Sequence, residues 1–245
     1  MKRLSSLSIF LPAYNDAGTI TELVLKAEQT ARSLTDEFEL IVVNDGSEDD
    51  TATVLANLKT RIPRLRVITH LVNRGYGGAL RSGFAAARGD WVFYTDGDGQ
   101  YDPAELTCLV DALHPGLDLV NGYKRRRHDP WIRVVLGALY NSGVRWLFGL
   151  RLRDVDCDFR LIRRATLIEI ELESDSGAIC VELIRGLQDR GARFAEVAVS
   201  HYRRRQGASQ FFNGRRVFDT ARQVVRLWWR LAVGSADPRR QHDLG

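Results

Sequence analysis

The sequence predicts an α/β fold built on a mainly parallel sheet flanked by helices, and three observations carry that expectation. Short apolar runs at residues 8–11, 38–43, 65–71, 91–95 and 117–120 alternate with segments whose apolar residues recur at helical spacing. Repeats of strand, helix and strand pair parallel neighbours through right-handed crossovers. The first four runs lead into polar turns, "PAYND", "NDGSEDD", "NRGYGG" and "DGDGQ". In such sheets ligands bind beyond the carboxyl ends of the strands, so the four turns are expected along one edge, the default active site.

Each element follows from a local signal. Two basic residues and a short apolar run open the chain, with no small-residue cleavage pattern before Asp16, so residues 8–11 read as a first strand and not as a leader. Thr19 and Glu22 then form a capping-box pattern, and Ile20, Leu23, Val24, Ala27, Ala31 and Leu34 keep helical spacing. A second strand at 38–43 leads to a helix carrying Val54, Leu55, Leu58 and Ile62, capped by Asp49 or Asp50. Strands at 65–71 and 91–95 flank a helix from about Gly78, and a further helix from Pro103 precedes the strand at 117–120.

After Tyr123 the rhythm changes to a basic loop, "KRRRHDP", and an apolar segment with arginines, "WIRVVLGALYNSGVRWLFG". A strand at 159–162, a helix at 177–190 and a strand at 194–200 follow. No Pro/Gly/Ser linker, repeat or low-complexity tract divides the chain, which predicts one domain over residues 1–211, with halves meeting near 122, and a helix and tail over 212–245.

Composition is that of an ordinary globular protein, 44% hydrophobic and 27% charged, with no run of eighteen apolar residues to span a bilayer. Cys108, Cys157 and Cys180 show no paired spacing, which suits buried thiols in a reducing compartment. The net charge of +4 hides an asymmetry: residues 1–122 hold 11 Lys/Arg against 17 Asp/Glu, and residues 123–245 hold 24 against 14. An acidic half suited to a metal thus precedes an arginine-rich half suited to phosphate.

In "YTDGDGQYDP" two carboxylates, Asp96 and Asp98, follow an apolar strand two residues apart. On a continuing strand they share a face and can reach one divalent cation with its phosphate ligands, with Gly97 allowing close approach; the other reading is an acidic turn. Asp45 in "NDGSEDDT" is either part of a turn or, at a strand end, an acceptor for a base or ribose. "NRGYGGAL" departs from G-x-G-x-x-G at Leu80 and does not lie at the first strand–helix turn, which argues against a dinucleotide site. There is no Walker A sequence and no G-x-S-x-G elbow. Of the five histidines only His201, beside an arginine run, draws notice.

Taken together, "PAYND", "VVNDGSEDDT", "NRGYGGALRSGF", "YTDGDGQYDP", "DCDFRLIRR" and "HYRRRQGASQF" resemble the family-2 glycosyltransferases, more narrowly the polyprenyl-phosphate sugar synthases of the dolichol-phosphate mannose synthase type. The resemblance runs from about Ile9 to Phe211 and implies a GT-A fold, Mg²⁺ or Mn²⁺, and a nucleotide-diphosphate sugar of the GDP-mannose or UDP-glucose type. It implies nucleoside contacts at Pro12, Tyr14, Asp16, Val43 and Asp45, and a metal and diphosphate site at Asp96, Asp98 and Gln100. Lys124 and Arg133 match basic positions near the acceptor phosphate, Arg204 and Ser209 belong to the H-x-x-R-x-x-G-x-S pattern, and Glu182 matches, more loosely, an acidic position facing the sugar. Asp16 stands where Glu is usual, Lys124 where Arg is common, and Gln210 where a cation is common.

The chemistry expected of such a site is inverting hexosyl transfer to a polyprenyl phosphate, whose dianion attacks without a general base once cations position it. In "RRVFDTARQVVRLWWRLAV" Val217, Ala221, Val224, Trp228 and Leu231 trace one helical face against arginines. That face suits either an anionic membrane interface or packing on the protein's own sheet, and five arginines within sixteen residues exclude a span. The expected location is cytoplasmic, peripheral on the cytosolic membrane face. Two alternatives stand beside this reading: a family-2 transferase acting on a sugar or glycan hydroxyl, and a basic nucleic-acid-binding module. The acidic first half and the lack of a nucleic-acid motif count against the latter. Base, sugar, lipid length and oligomeric state stay open.

Overall fold

The computed structural model describes residues 2–125, 131–203 and 214–234, with the backbone alone at 131–136, 214–218 and 232–234. Seven strands, β1 (Leu7–Ala13), β2 (Phe38–Asn44), β3 (Leu65–Thr69), β4 (Trp91–Thr95), β5 (Leu119–Lys124), β6 (Phe159–Arg163) and β7 (Phe194–Val199), form one sheet in the order β3-β2-β1-β4-β6-β5-β7. All pairs are parallel except those of β6, which runs antiparallel to both β4 and β5. The mainly parallel sheet is as expected; the reversed β6 is not, because a five-residue apolar run carries no direction.

Side chains alternate across each strand, so one sheet feeds two cores. Leu7, Ile9, Leu11 and Ala13 of β1 face a core closed by α1 (Ile20–Leu34), α2 (Thr51–Arg61) and α4 (Leu106–Ala112). Phe10 of the same strand faces the opposite core, closed by α3 (Gly75–Ala86), α5 (Trp131–Phe148), α7 (Ala178–Asp189) and α8 (Gly214–Gly234). A short α6 (Arg164–Leu167) follows β6 directly.

Three local expectations change. Thr19 stands at the N-cap of α1 without capping it: its hydroxyl donates to Gly97 O at 2.7 Å and to Asp16 O at 3.2 Å, tying the helix start to the turn after β4. The inward face of α8 is Val224 and Leu227, with Leu231 packed beside them, while Ala221 is exposed and Trp228 leans outward. Val217 lies where only the backbone is described. At α2, Asp49 and not Asp50 supplies the cap, its Oδ1 accepting the Thr51 N–H at 3.0 Å. Cys157 and Cys180 are buried as expected, whereas Cys108 is exposed.

The strand order places the switch point of the sheet at β1. From β1 the chain winds outward through β2 and β3, then returns to β4 on β1's other side, which opens a crevice at the carboxyl ends of β1, β2 and β4.

Candidate active site

Three turns meet in that crevice. The PAYND turn is fixed by Asn15, whose φ of 57° makes it the one non-glycine residue at positive φ among the described residues; Asn tolerates this region better than most. Asn15 Oδ1 accepts the Glu48 N–H at 2.8 Å and its N–H donates to Ser47 Oγ at 3.0 Å, joining the turn to the one after β2. Asp16 is buried; its Oδ2 accepts the Tyr14 N–H at 3.0 Å and its own N–H donates to Thr51 Oγ1 at 3.0 Å. Pro12 O accepts the Gly97 N–H at 3.1 Å, and Ala13 O accepts the Asp45 N–H at 2.9 Å. The end of β1 thus holds Asp45 on one side and the DGD turn on the other.

Gly97 is required for packing. A Cβ there would fall 2.7 Å from Pro12 O and 3.2 Å from Asp16 Oδ2, so the β1 end approaches it closely where a ligand was expected to. Gly99, at φ +77°, turns the chain, and Asp98 Oδ1 accepts the Gln100 N–H at 2.9 Å. Gln100 O accepts the Tyr202 N–H at 2.8 Å, and the Gln100 side-chain amide donates to Tyr202 O at 3.2 Å. The amide expected near a metal therefore anchors the segment that leads toward residue 204.

Burial, then the charges of Asp158 and Asp98, push the Asp96 carboxyl well above its usual range, while a 2.9 Å hydrogen bond from the Tyr76 hydroxyl opposes them. Asp16 adds to the same repulsion. Such a cluster of oxygen donors fits a hard divalent cation, which would relieve the repulsion. Among the described residues no group of three or more His, Cys, Asp or Glu is arranged to hold a metal ion by itself. Mg²⁺ with a nucleotide diphosphate needs no such cage, because phosphates and water fill its remaining positions.

Behind Asp96 lies a network that sequence reasoning missed. Antiparallel β6 brings Arg160 into register with Tyr94 of β4 and Asn121 of β5. Arg160 is fully buried; its Nε donates to Asn121 Oδ1 at 2.7 Å, Nη1 to the Tyr94 hydroxyl and to Asp158 Oδ1 at 3.3 Å, and Nη2 to Val155 O. Cys180 Sγ donates to the same Asp158 oxygen at 3.1 Å. Burial opposes the Arg160 charge, but Tyr94, Cys180 and Asp158 outweigh it and hold the guanidinium well above its ordinary value. The one available signal was the motif "DCDFR", with acid and base two residues apart.

The glycine-rich turn is likewise structural. Gly77 N–H donates to Asp175 O at 2.9 Å, and a Cβ on Gly77 would sit 2.0 Å from Ser174 O. This contact seats Tyr76 against Asp96.

The remaining predicted residues are dispersed. Val43 is a core side chain, so only its main chain can meet a ligand. Lys124, nearly buried, donates from Nζ to Asp156 O at 2.6 Å. Beside it a cleft of about 260 Å³ lies between β5 and α5, lined by Tyr123, Asn141, Arg153 and Asp154 among others. Glu182 Oε2 accepts the Glu173 and Ser174 N–H groups at 3.1 and 2.9 Å, and Oε1 meets Arg230 of α8. That carboxylate holds the 173–174 backbone, a task the resemblance did not imply. Arg133 falls where only the backbone is described, and Arg204 and Ser209 lie outside the described residues. His201 is buried with its ring edge-on to Tyr101 at 5.2 Å.

A family model described as glycosyl transferase family 2 matches residues 8–170. The undecaprenyl-phosphate 4-deoxy-4-formamido-L-arabinose transferase of Proteus mirabilis is 30% identical over 212 residues, covering 86% of this chain and 64% of that protein. The protein of the same name from Pseudomonas fluorescens is 32% identical over 84% of this chain and 60% of its own. The chain thus spans a little under two thirds of the length of these relatives. Among solved structures, glucosyl-3-phosphoglycerate synthase from Mycobacterium tuberculosis with phosphoglyceric acid matches with a TM-score of 0.70 at 22% identity, over 91% of this chain and 78% of that one. The same synthase with Mn²⁺, uridine diphosphate and glucosyl-3-phosphoglycerate matches at 0.67 and 22%, over 90% and 77%. The likeness is one of fold, the GT-A arrangement.

Proposed function

The chain belongs to glycosyl transferase family 2, and from that premise we propose that it moves a hexosyl group from a nucleotide-diphosphate sugar to a polyprenyl phosphate, with inversion, at the cytosolic face of a membrane. The observation that carries this reading is the gathering of Asp16, Asp96 and Asp98 at the switch point of the sheet, where burial and the charges of Asp158 and Asp98 raise the Asp96 carboxyl.

Asp96 and Asp98 would hold Mg²⁺ or Mn²⁺, which supplies Lewis acidity to the departing diphosphate. Pro12, Tyr14, Asp16 and Asp45 line the nucleoside end of the crevice. Arg133 and Arg204 are assigned to the acceptor phosphate, Lys124 is shared between the donor and acceptor phosphates, and Ser209 is assigned to the donor, with the cleft beside Lys124 as the acceptor's entrance. A phosphate monoester has a second pKa of about 6, so its dianion needs orientation and not deprotonation. One of its oxygens forms the bond to the anomeric carbon as the bond from that carbon to the β-phosphate oxygen breaks, the electron pair leaving with the nucleotide diphosphate. Residues 1–211 act as the catalytic domain, with donor and acceptor halves meeting near 122.

Membrane access is supported by the outer faces of α5 and α8. Trp146 is 86% exposed and Trp229 65%, with Leu139, Val225 and Trp228 also outward and Arg222 and Arg226 exposed among them. Aromatic and basic residues side by side suit a lipid interface. No described helix is long and apolar enough to cross a membrane.

A panel of nucleotide sugars with Mn²⁺ or Mg²⁺ and a short polyprenyl phosphate, followed by mass spectrometry, tests the reading. A lipid-linked sugar supports it. Donor hydrolysis without lipid product moves the acceptor to the hydroxyl class, and silence with every donor overturns it.

A further inference from the structure

One chain of side chains remains beside the donor crevice, buried Asp45 and His70 and half-buried Ser82. His70 directly follows β3; its Nδ1 lies 2.6 Å from Asp45 Oδ1 and its Nε2 2.8 Å from Ser82 Oγ. A carboxylate can only accept, so Nδ1 carries the hydrogen of that bond, while Nε2 and Ser82 Oγ form the second. The Arg74 N–H donates to the same Asp45 Oδ1 at 2.9 Å. The Asp45 main chain is pinned too, its N–H to Ala13 O and its C=O to the Asn73 amide at 3.0 Å. Oδ1 is thus filled by two donors, while Oδ2 takes no hydrogen bond among the described residues. The trio has the composition of a hydrolytic triad, but Ser82 sits inside α3, whose interior N–H groups are used within the helix and cannot form an oxyanion hole.

Resting on the glycosyl-transfer reading above, we propose that His70 is a positioning residue that leaves Asp45 a single acceptor oxygen, and that this selects uracil over guanine as the donor base. Uracil presents one N–H, at N3, between two carbonyls. Guanine presents N1–H and N2–H side by side, a pair that needs both oxygens of a carboxylate. With Oδ1 filled, one guanine donor is left without an acceptor on burial. The Arg74 guanidinium, exposed and with no ion pair among the described residues, is a cation at hand for a uracil carbonyl.

The same geometry predicts the effect of Asp45→Asn. Two N–H groups aimed at the Oδ1 position force the amide oxygen there, so the amide nitrogen must take the Oδ2 position. The site then donates where it had accepted, which matches N3 of cytosine and opposes N3–H of uracil.

The test is calorimetric titration of the full chain with uridine, cytidine and guanosine diphosphates in Mn²⁺. Wild type is expected to bind uridine diphosphate about tenfold or more tightly than guanosine diphosphate. Asp45→Asn should reverse the order of the uridine and cytidine nucleotides. His70→Ala should bring the uridine to guanosine ratio toward one, and His70→Asn, which restores an N–H near Nδ1, should recover it. Guanosine diphosphate binding wild type as tightly as the uridine nucleotide overturns the base assignment and leaves the transferase reading standing. Equal weakening of all three nucleotides by Asp45→Asn, or an unchanged ratio in His70→Ala, overturns the positioning role. Failure of wild type to bind any of the three overturns the donor site and this inference together.

Discussion

Replacing Arg160 with methionine keeps most of the side-chain stem and removes the guanidinium that four groups share. Asn121 Oδ1, the Tyr94 hydroxyl and Val155 O each lose a donor, and the Asp158 carboxylate, whose side chain is 10% exposed, keeps the Cys180 thiol as a donor to Oδ1. Breaking a buried ion pair from one side costs about 3–5 kcal/mol, a large part of the roughly 5–15 kcal/mol that holds a domain together. At about 2–4 °C per kcal/mol for a chain of this size, Tm should fall by about 6–20 °C. Thermal unfolding followed by circular dichroism reads this directly. The cause is an orphaned charge, so Asp158→Asn combined with Arg160→Met should cost less than the two single changes added together. A Tm within about 2 °C of wild type for Arg160→Met, or strict additivity in the double variant, would refute the claim that Arg160 is held there as counter-charge to Asp158.

Asp98→Ala should abolish turnover in the mass-spectrometric transfer assay; wild-type turnover removes Asp98 from the metal site. Because the Asp96 carboxyl is raised above its ordinary 3.8, the folded metal-free protein binds more protons than the unfolded chain above that pH, and its stability falls as pH rises toward the raised value. A cation requires the deprotonated form, so the Tm gain from Mn²⁺ should grow as pH rises above about 4; a constant gain argues against Asp96 as ligand. Gly77→Ala puts a methyl 2.0 Å from Ser174 O and should cost about 1–3 kcal/mol or more in urea unfolding. Gly143→Ala, with nothing within 4 Å in an exposed helical position, should instead add about 0.5–1 kcal/mol. Serine at both Trp146 and Trp229 should reduce flotation with anionic vesicles while nucleotide binding stays unchanged; undiminished flotation removes that face from the membrane.

Strands and helices were legible because their periods are local. Leu7 to Ala13 alternates between two cores, and Ile20 to Leu34 buries one stripe, in patterns that need no knowledge of neighbours. Direction and facing were harder. Nothing within "FRLIR" states that β6 runs antiparallel. On α8 the choice between Leu227 and Trp228 as the inward residue depends on where α7 lies, since both fit a 3.6 period within one position.

The site divides along the same line. Asp96 and Asp98 could be singled out because two acids two residues apart at the end of an apolar strand are unusual in themselves. Tyr76, His70, Arg160 and Glu182 acquire their roles from partners 20 to 66 positions away: Asp96 for Tyr76, Asp45 for His70, Asn121 and Tyr94 for Arg160, and Arg230 for Glu182. Read singly, a tyrosine in a glycine-rich turn or an arginine in an apolar strand carries no sign of its partner. Glu182 shows the converse hazard. An acid at a matching position is assigned to the sugar by analogy, yet its two oxygens are met by backbone N–H groups and by Arg230, so its position in the family pattern and its bonding in this chain lead to different tasks. A polar side chain's role is therefore set by which of its atoms remain unbonded once the fold has closed around it. That is the criterion that leaves Asp45 with one oxygen for a base.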